Sequence, residues 1–232
     1  MKKIAIIQSN YIPWKGYFDI INMVDEFFIF DEVQYTKRDF RNRNLIKTPK
    51  GLRWITIPVK VKNRYSQKIN ETVIADSYWA KSHWSILKQN YLKSKYFNEY
   101  KTLFKNLYSS INSKNLSTIN FKFIKLINTI LEIDTKISYP NKSLKISKDK
   151  NIRLIEICKE SNADIYLSGP NAKEYLDLST FKKNNISVEW MSYDNYTVYN
   201  QLFPPFDHFV SIVDLIFNHG LNSKKYMKSF KS

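Results

Sequence analysis

The fold class is decided by residues 3–30, which read KIAIIQSNYIPWKGYFDIINMVDEFFIF. Residues 3–8 form a short apolar run, which is typical of a strand buried on both faces of a parallel sheet. A polar turn follows at 9–16, then a predicted helix at 17–23 and a second apolar strand at 26–30. Two such strands joined by a helix form a β-loop-α-β unit, which connects parallel strands by a right-handed crossover. This stretch therefore predicts an α/β protein.

The rest of the chain extends the α/β pattern around a helical middle. Apolar residues recur at helical spacing from 78 to 133, and breaks near 95–98 and 113–117 divide this stretch into three predicted helices. Further strands are predicted at 54–61, 164–168 and 186–191, and further helices at 152–162, 171–175 and 206–218. We therefore expect a parallel-sheet, nucleotide-binding-like core with a helical insert.

The same pattern suggests a division of the chain into four parts. These are an N-terminal α/β half at 1–75, a helical insert or cap at 76–145, a C-terminal α/β half at 146–225 and a frayed, lysine-rich tail at 226–232. The N-terminus reads as a first strand rather than as a signal peptide, and the sequence has no apolar run long enough for a transmembrane helix. A single cysteine, Cys158, fits a reducing compartment. We therefore expect a cytoplasmic protein.

Arginine is concentrated in one part of an otherwise lysine-rich chain. The sequence has 37 basic residues and a net charge of +16, yet it has only six arginines, and five of these fall between Arg38 and Arg64. Scattered lysine combined with scarce glycine is typical of a biased coding composition, so the net charge alone does not predict a nucleic-acid partner. Arginine offers a planar fork that binds phosphate or carboxylate through two parallel hydrogen bonds. Residues 35–44, the arginine segment, are therefore predicted to bind an anion.

Polar residues also gather where parallel sheets bind ligands, beyond the carboxyl ends of their strands. Gly16 lies in the first such turn, where it either lets backbone amides approach an anion or simply meets the turn geometry. Asp31 follows the second strand, and its carboxylate suits a general base, a metal ligand or a structural partner of Arg38 or Arg41. The three histidines are far apart in sequence, so no metal site is predicted.

Two polar and aromatic clusters near the C-terminus complete the candidate site. One spans 167–175, and the other runs from 199 to 220, where Asp214 and Asn218 share one face of an otherwise apolar helix. The candidate catalytic residues are Asp31 and Lys15. The candidate substrate- and phosphate-binding residues are Gln8, Asn10, Tyr11, Trp14, Gly16, Gln34, Tyr35, Lys37, Arg38, Arg41, Asn42, Arg43, Ser168, Gly169, Asn171, Gln201, Asp214 and Asn218.

These segments together resemble the WbqC-like family. The resemblance is carried by residues 8, 10–11, 13–19, 30–38, 41–44, 54–59, 166–169 and 214–220. The family is associated with bacterial O-antigen and related polysaccharide gene clusters, and some members are assigned to adding glycine to the amino group of a nucleotide-linked 4-amino-sugar. The resemblance therefore implies a transferase of lipopolysaccharide biosynthesis, and it brings no established set of catalytic residues.

The N-terminal unit is also similar to the nucleotide-binding folds of nucleotidyltransferases, in which the first turn holds a His-x-Gly-His motif over phosphates. The corresponding residues 13–17 read PWKGY and contain no histidine. This departure argues against adenylyl transfer and is compatible with nucleotide binding alone.

The first hypothesis is an enzyme that acylates or aminoacylates a nucleotide-linked amino sugar. The arginine segment would hold the pyrophosphate, and stacking on sugar or base is expected from Tyr11, Trp14 and Tyr35. Asp31 would deprotonate the sugar ammonium, while Lys15 or amides of the Gly16 turn would meet the charge on the donor carbonyl. The donor stays open between an acyl thioester, an aminoacyl-tRNA and an acyl adenylate made with ATP. The second hypothesis is a non-catalytic nucleotide- or RNA-binding module of a polysaccharide assembly system.

Overall fold

The computed structural model describes residues 1–141, 147 and 149–230 of the chain. The predicted boundary between the helical insert and the C-terminal half, at 145 and 146, lies outside these residues. Contacts within the chain define two units that interleave in sequence. Unit 1 comprises Met1–Gln8, Asp19–Phe30 and Asp134–Asn195, and unit 2 comprises Ser9–Phe18, Asp31–Ile133 and Tyr196–Ser232.

The described chain contains seven strands and seven α-helices. The strands are β1 Lys3–Ile7, β2 Glu26–Ile29, β3 Arg43–Thr48, β4 Gly51–Thr56, β5 Lys136–Ser138, β6 Ile165–Ser168 and β7 Ser187–Trp190. The α-helices are α1 Lys15–Asn22, α2 Trp79–Tyr91, α3 Phe97–Ser110, α4 Leu116–Leu131, α5 Lys150–Glu160, α6 Leu178–Lys183 and α7 Ile212–His219. Short 3₁₀ helices lie at Ile69–Glu71, Pro170–Glu174 and Gly220–Tyr226. No helix in this part of the chain is long and apolar enough to cross a bilayer.

Unit 1 is built on a five-stranded sheet with the order β5-β2-β1-β6-β7. Every neighbouring pair in the sheet is parallel. The side chains of β2 and the central residues of β1 are buried, as expected for strands that are covered on both faces. The strand order reverses beside β1, because β2 lies on one side of it and β6 on the other. The structure therefore confirms an α/β fold with a parallel sheet.

Unit 2 contains the helices α2, α3 and α4, which lie where the apolar spacing predicts them. Helix α4 begins after Asn115, whose side-chain oxygen accepts a hydrogen bond from the backbone N–H of Thr118 and so caps the helix. The core of unit 2 is rich in aromatic rings. The ring of Phe217 on α7 is fully buried and packs against the rings of Tyr91, Phe97 and Phe104, with centroid distances of 5.4, 5.1 and 5.2 Å.

Unit 2 contains a β-hairpin, whereas the sequence predicted a single strand in this region, at 54–61. The arginine segment runs into β3, which pairs with β4 in an antiparallel register that joins Arg43 to Thr56. The predicted strand at 54–61 is therefore shifted towards the N-terminus, and it ends before Pro58, because a proline donates no hydrogen bond to a strand ladder.

The C-terminal region also differs from the prediction. Helix α7 begins at Ile212 rather than at 206, because Ser211 caps it by accepting a hydrogen bond from the N–H of Val213. The residues that follow are packed rather than frayed, since Ser223 and Met227 are fully buried. Their burial makes the end of the described chain a part of unit 2.

Candidate functional site

In unit 1, three of the predicted residues lie at one edge of the sheet. Gln8 follows β1, and Ser168 ends the neighbouring parallel strand β6, with Gly169 directly after it. This edge is the carboxyl end of the strands, at the point where the strand order reverses, and doubly wound sheets bind ligands there. The exposed Asn171 lies two residues after Gly169, in the 3₁₀ helix Pro170–Glu174. Unit 1 thus gathers Gln8, Ser168 and Gly169 in a position suited to a ligand.

In unit 2, Asp31 fixes the start of the first turn. Its carboxylate is buried and accepts hydrogen bonds from the backbone N–H and the hydroxyl of Ser9, at 2.8 and 2.7 Å, and from the hydroxyl of Ser117. The charge partner of Arg41 is instead Asp39, whose Oδ2 lies 3.6 Å from Nε. Of the predicted roles for Asp31, this geometry favours a structural one, with serines rather than arginines as partners.

Hydrogen bonds join the first turn to the arginine segment within unit 2. The guanidinium of Arg41 donates to the side-chain oxygen of Asn10. The amide of Asn44 donates to the carbonyls of Tyr11 and Ile12, at 3.1 and 2.9 Å. The segment is also tied to the residue that follows β4, since the amide of Asn42 donates to the Ile57 carbonyl at 2.8 Å. The predicted residues Asn10, Arg41 and Asn42 therefore act together in holding this backbone.

Only some of the hydrogen-bond donors of Arg43 have partners. Its guanidinium lies 4.0 Å from the ring centroid of Trp54, in a cation–π contact, and donates to the carbonyl of Arg38. Its Nε is buried and has no hydrogen-bond partner among residues 1–141, 147 and 149–230. Arg38 itself is exposed and adopts a left-handed backbone with φ of 61°. The segment thus holds one exposed arginine and one buried N–H donor that lacks an acceptor.

A cavity of about 390 Å³ includes part of the arginine segment, and we call it the arginine-segment cavity. Its walls are residues Gln34, Tyr35, Thr36, Lys37, Val61, Arg64, Tyr65 and Gln67. Two hydrogen bonds hold the walls together: the N–H of Tyr35 donates to the Gln67 carbonyl at 2.9 Å, and the Gln34 amide donates to the Tyr65 carbonyl at 2.8 Å. The predicted Gln34, Tyr35 and Lys37 are therefore brought together.

Arg64 and Tyr65 complete this cavity, and the sequence interpretation did not select them. The ammonium of Lys37 lies 5.8 Å from the ring centroid of Tyr65, so cations and a ring share the cavity. Burial, followed by the charge of Asp39, raises the pKa of Tyr35, which keeps its hydroxyl a hydrogen-bond donor at neutral pH. The only sequence signal for Arg64 was its place at the end of the arginine-rich stretch.

Tyr11 lies in the core of unit 2 rather than at a surface. Its side chain is fully buried, and its hydroxyl lies 2.9 Å from Nδ1 of His83 and 2.5 Å from the hydroxyl of Tyr108. Burial raises the pKa of Tyr11 and lowers the pKa of His83 to about 4, so the cluster is neutral at pH 7. Stacking of Tyr11 on a sugar or base is not compatible with this packed position.

Lys15 and Gly16 are the first two residues of α1, and both contact aromatic rings. Lys15 is only 3% exposed, and its ammonium donates to the Thr197 carbonyl at 3.3 Å and lies 4.6 Å from the ring centroid of Tyr196. A Cβ added to Gly16 would lie 2.4 Å from the ring of Trp14, so glycine makes room for that ring. The structure thus gives Gly16 a packing role, which is neither of the two predicted interpretations.

The predicted residues Asp214, Asn218 and Gln201 form a third group. Asp214 is fully buried, and its carboxylate accepts hydrogen bonds from the hydroxyls of Tyr91 and Tyr199, each at 2.9 Å. Burial raises the pKa of Asp214 to about 6, although these hydrogen bonds act to lower it. Gln201 donates to the Tyr199 hydroxyl at 3.2 Å, and Asn218 donates to the Asp214 carbonyl at 2.8 Å. The sequence signal was the four-residue spacing on α7, which revealed neither tyrosine.

Comparison with known proteins places the chain in a family without assigning an activity. Residues 8–226 match the model of the WbqC-like protein family. The chain is also 45% identical over 228 residues to "Uncharacterized protein Rv1507c" of Mycobacterium tuberculosis, and the match covers 98% of each chain. No solved structure matches the chain. The matched range covers the arginine segment, the sheet edge and the Asp214 group.

Proposed function

Because the chain belongs to the WbqC-like protein family, we propose that it is a transferase that adds an aminoacyl group, such as glycyl, or an acyl group to the amino group of a nucleotide-linked amino sugar. The reaction would serve the synthesis of O-antigen or a related surface polysaccharide. The single observation that carries this proposal is the arginine-segment cavity, in which cationic side chains and tyrosine rings line the same space.

The charges of the cavity suit a pyrophosphate. Lys37 and Arg64 both line it and are exposed, and the fork of Arg64 matches the oxygens of a phosphate. Burial and the charge of Asp39 raise the pKa of Tyr35, and this rise is opposed by the charge of Arg43, which does not itself line the cavity. Its buried Nε lacks an acceptor within the described chain, and an unpaired buried donor destabilises a site until a ligand or water fills it.

The size and the rings of the cavity suit the rest of such a substrate. Small-molecule sites commonly enclose roughly 300–1,000 Å³, and this cavity of about 390 Å³ falls in that range. Tyr35 and Tyr65 offer flat apolar surfaces with hydroxyl donors, which is the combination that binds sugars and bases. The amides of Gln34 and Gln67 line the same space and can bind hydroxyl groups.

Proton transfer is the chemical step that the chain itself must support. The ammonium of the amino sugar attacks a carbonyl only after it has lost a proton, so a base must come within hydrogen-bond reach of it. Both oxygens of Asp31 are engaged by Ser9 and Ser117, and its side chain is 2% exposed. In this proposal Asp31 therefore orders the turn beneath the arginine segment, and its role as the base remains a hypothesis.

The substrate part of the proposal is tested by thermal shift with a panel of UDP-, GDP- and dTDP-linked amino sugars. The double variant Lys37→Gln/Arg64→Gln should weaken the response by about tenfold in apparent affinity, because two charge-assisted contacts are lost. Lys81→Gln/Lys105→Gln, which removes the same charge at exposed positions outside the cavity wall, is the matched control and should retain the response. A panel in which no sugar nucleotide stabilises the protein would overturn the proposal.

The catalytic part is tested by mass spectrometry of the amino-sugar nucleotide after incubation with acyl thioester, aminoacyl-tRNA, or amino acid and ATP. The expected product carries one added acyl or aminoacyl group. Asp31→Asn with full turnover would remove Asp31 from the role of base, and loss of turnover together with loss of folding would assign it the ordering role alone. Absence of turnover with every donor would favour the binding module considered next.

A second candidate function, a nucleotide- or RNA-binding module, is favoured by one exposed surface. Phe40 and Trp54 are 42% and 40% exposed, their ring centroids are 5.7 Å apart, and Arg43 lies over Trp54. Aromatic rings beside arginine bind single-stranded nucleic acid by stacking and charge. Such binding to tRNA should weaken steeply with salt and with Trp54→Ala, and no binding at low salt would exclude it.

A further inference from the structure

A second cavity, of about 530 Å³, lies within unit 2, and we call it the C-terminal cavity. It is lined by residues Lys93, Ser94, Lys95, Tyr96, Asn200, Gln201, Leu202, Asn218, His219, Asn222, Lys225 and Tyr226. None of these residues lines the arginine-segment cavity. The predicted residues Gln201 and Asn218 belong to its wall, whereas the other ten were not selected from the sequence. The two cavities can therefore be tested independently.

The charged side chains that line the C-terminal cavity are all positive. Lys93, Lys95 and Lys225 line it, and its wall contains no aspartate or glutamate. Within residues 1–141, 147 and 149–230, no carboxylate lies within ion-pair distance of these three lysines, whereas the neighbouring Lys224 binds Glu132. Cations that line a concave surface without counter-charges concentrate anions there. The wall therefore selects for an anionic ligand.

A buried donor in the same wall lacks a partner. Ser94 is only 6% exposed, and in the described chain its hydroxyl has no hydrogen-bond partner. It lies in the turn between α2 and α3, and Tyr96, the residue before α3, gives that helix no side-chain cap. A buried hydroxyl without a partner is uncommon and indicates a place for a ligand or water. The start of a 14-residue helix adds a partial positive charge at this point.

Aromatic rings form another part of the wall. The rings of His219 and Tyr226 have centroids 4.6 Å apart. Burial, helped by the charge of Lys95, lowers the pKa of His219, so its ring is neutral at pH 7. Its Nε2 donates to the Asn200 carbonyl at 3.1 Å, which fixes the ring. These groups present flat, uncharged surfaces beside the lysines, as the binding of a base requires.

Gly220 is required for the position of the ring of Tyr96. Its φ of +56° favours glycine, and a Cβ at this position would lie 2.6 Å from the Tyr96 ring. The amide of Asn222 donates to the Tyr96 hydroxyl at 3.4 Å. Backbone conformation and a hydrogen bond thus hold a third ring in the wall of the cavity.

From these observations we infer that the C-terminal cavity is a separate binding site for a nucleoside diphosphate. The phosphates bind Lys93, Lys95, Lys225 and the hydroxyl of Ser94. The base packs against the rings of Tyr96 and Tyr226, and the amides of Asn200 and Asn222 bind its polar edge or the ribose. This site goes beyond the proposed transfer reaction, because it adds a second nucleotide at a place that the sugar-nucleotide substrate does not need.

The test is isothermal titration calorimetry of the full chain with ADP, UDP, pyrophosphate and adenosine. In the Lys37→Gln/Arg64→Gln chain, in which the arginine-segment cavity is weakened, ADP or UDP should bind with one site per chain, at least about tenfold more tightly than pyrophosphate. Adenosine should bind weakly because it has no charge for the lysines. Lys95→Gln/Lys225→Gln should weaken nucleotide binding by about tenfold. Lys81→Gln/Lys105→Gln, which changes the net charge equally at exposed positions outside the wall, should change it by less than about twofold.

Two further variants separate this inference from the proposed function. Lys37→Gln/Arg64→Gln should leave ADP and UDP binding at the C-terminal cavity unchanged, and Ser94→Ala should weaken it while the melting temperature is retained. Equal losses of binding in Lys95→Gln/Lys225→Gln and in Lys81→Gln/Lys105→Gln would show that the binding depends on net charge alone. That result would overturn the inference. Pyrophosphate that binds as tightly as both nucleotides would overturn the role of the rings. Absence of binding by every probe at low salt would overturn the site as a whole, whatever the outcome at the arginine-segment cavity.

Discussion

Glu26 in unit 1 and Asp214 in unit 2 are both buried carboxylates, but their partners differ. Glu26 accepts hydrogen bonds from the ammonium groups of Lys2 and Lys136, whose nitrogen atoms lie 2.7 and 2.8 Å away. Asp214 accepts from two neutral hydroxyls, those of Tyr91 and Tyr199. The first carboxylate therefore forms ion pairs, whereas the second is held by neutral donors and the charge of Lys47 makes only a smaller contribution.

Because of this difference, the pKa of Glu26 lies below its ordinary value and the pKa of Asp214 lies above its ordinary value. Burial alone would raise the pKa of Glu26, but hydrogen bonds from Lys136, Lys2 and Ser138 lower it to about 2. Burial raises the pKa of Asp214 to about 6, and the tyrosine hydroxyls do not reverse the shift. The comparison shows that, for two buried carboxylates, the partners decide the direction in which the pKa shifts. It also predicts that the two residues affect stability with opposite dependence on pH.

The largest expected effect is that of Asp214→Ala on stability. This change leaves the buried hydroxyls of Tyr91 and Tyr199 without their acceptor, and each unpaired group costs about 1–3 kcal/mol. We expect the free energy of unfolding at pH 7, measured by urea denaturation, to fall by about 3 kcal/mol. Asp134→Ala, at an exposed position, is the control and should stay within about 0.5 kcal/mol of the wild type. Equal losses of stability in Asp214→Ala and Asp134→Ala would show that the hydrogen bonds of Asp214 with Tyr91 and Tyr199 do not stabilise the fold.

The next effect is the pH dependence that Asp214 introduces. An acid whose pKa is raised by folding from 3.8 to about 6 binds more protons in the folded chain, so stability is highest at low pH and declines as the pH rises through this window. Asp214 should therefore reduce the free energy of unfolding by on the order of 2–3 kcal/mol between about pH 4 and pH 6.5. Asp214→Asn keeps the size of the side chain and should remove this decline. A variant that retains the wild-type decline would assign the dependence to other groups.

The parts of the fold that depend on local patterns were predictable. The apolar run of β1 predicts a strand, and the helical spacing of residues 78–133 predicts helices. Both patterns are visible because the buried face of a strand or helix is formed by residues that are close in sequence. The shared helix face of Asp214 and Asn218 was likewise visible from their spacing. Each of these features needs information from only a few turns of chain.

The features that depend on distant partners were not predictable. Strand β3 begins at Arg43 in a polar stretch, and only its pairing with β4 makes it a strand. The turn that contains Ser94 meets His219 and Tyr226 in the C-terminal cavity across more than 100 residues of sequence. Arg64 reaches Tyr35 through a loop with no regular structure of its own. Binding walls of this kind are assembled by tertiary packing, which a single sequence does not display.

The smallest effect, and the one that sharpens the comparison most directly, is expected from Glu26→Gln. A carboxylate whose pKa is lowered by folding from 4.5 to about 2 adds stability that is fully present above the unfolded value and is lost as the pH falls through this window. The side chains of Lys2 and Lys136 are 34% and 71% exposed, so solvent screens the pair, and we expect a loss of only about 1 kcal/mol at pH 7. The difference from the wild type, measured by urea denaturation, should vanish near about pH 2.

The control for this prediction is Glu189→Gln, which breaks the exposed pair of Glu189 with Lys3 in the same sheet. Both side chains of that pair are substantially exposed, so the loss should stay below about 0.5 kcal/mol at every pH. If Glu26→Gln instead becomes more stable than the wild type as the pH rises, burial would outweigh the lysines at Glu26. Folding would then raise the pKa of both Glu26 and Asp214, and the difference between the two carboxylates would disappear.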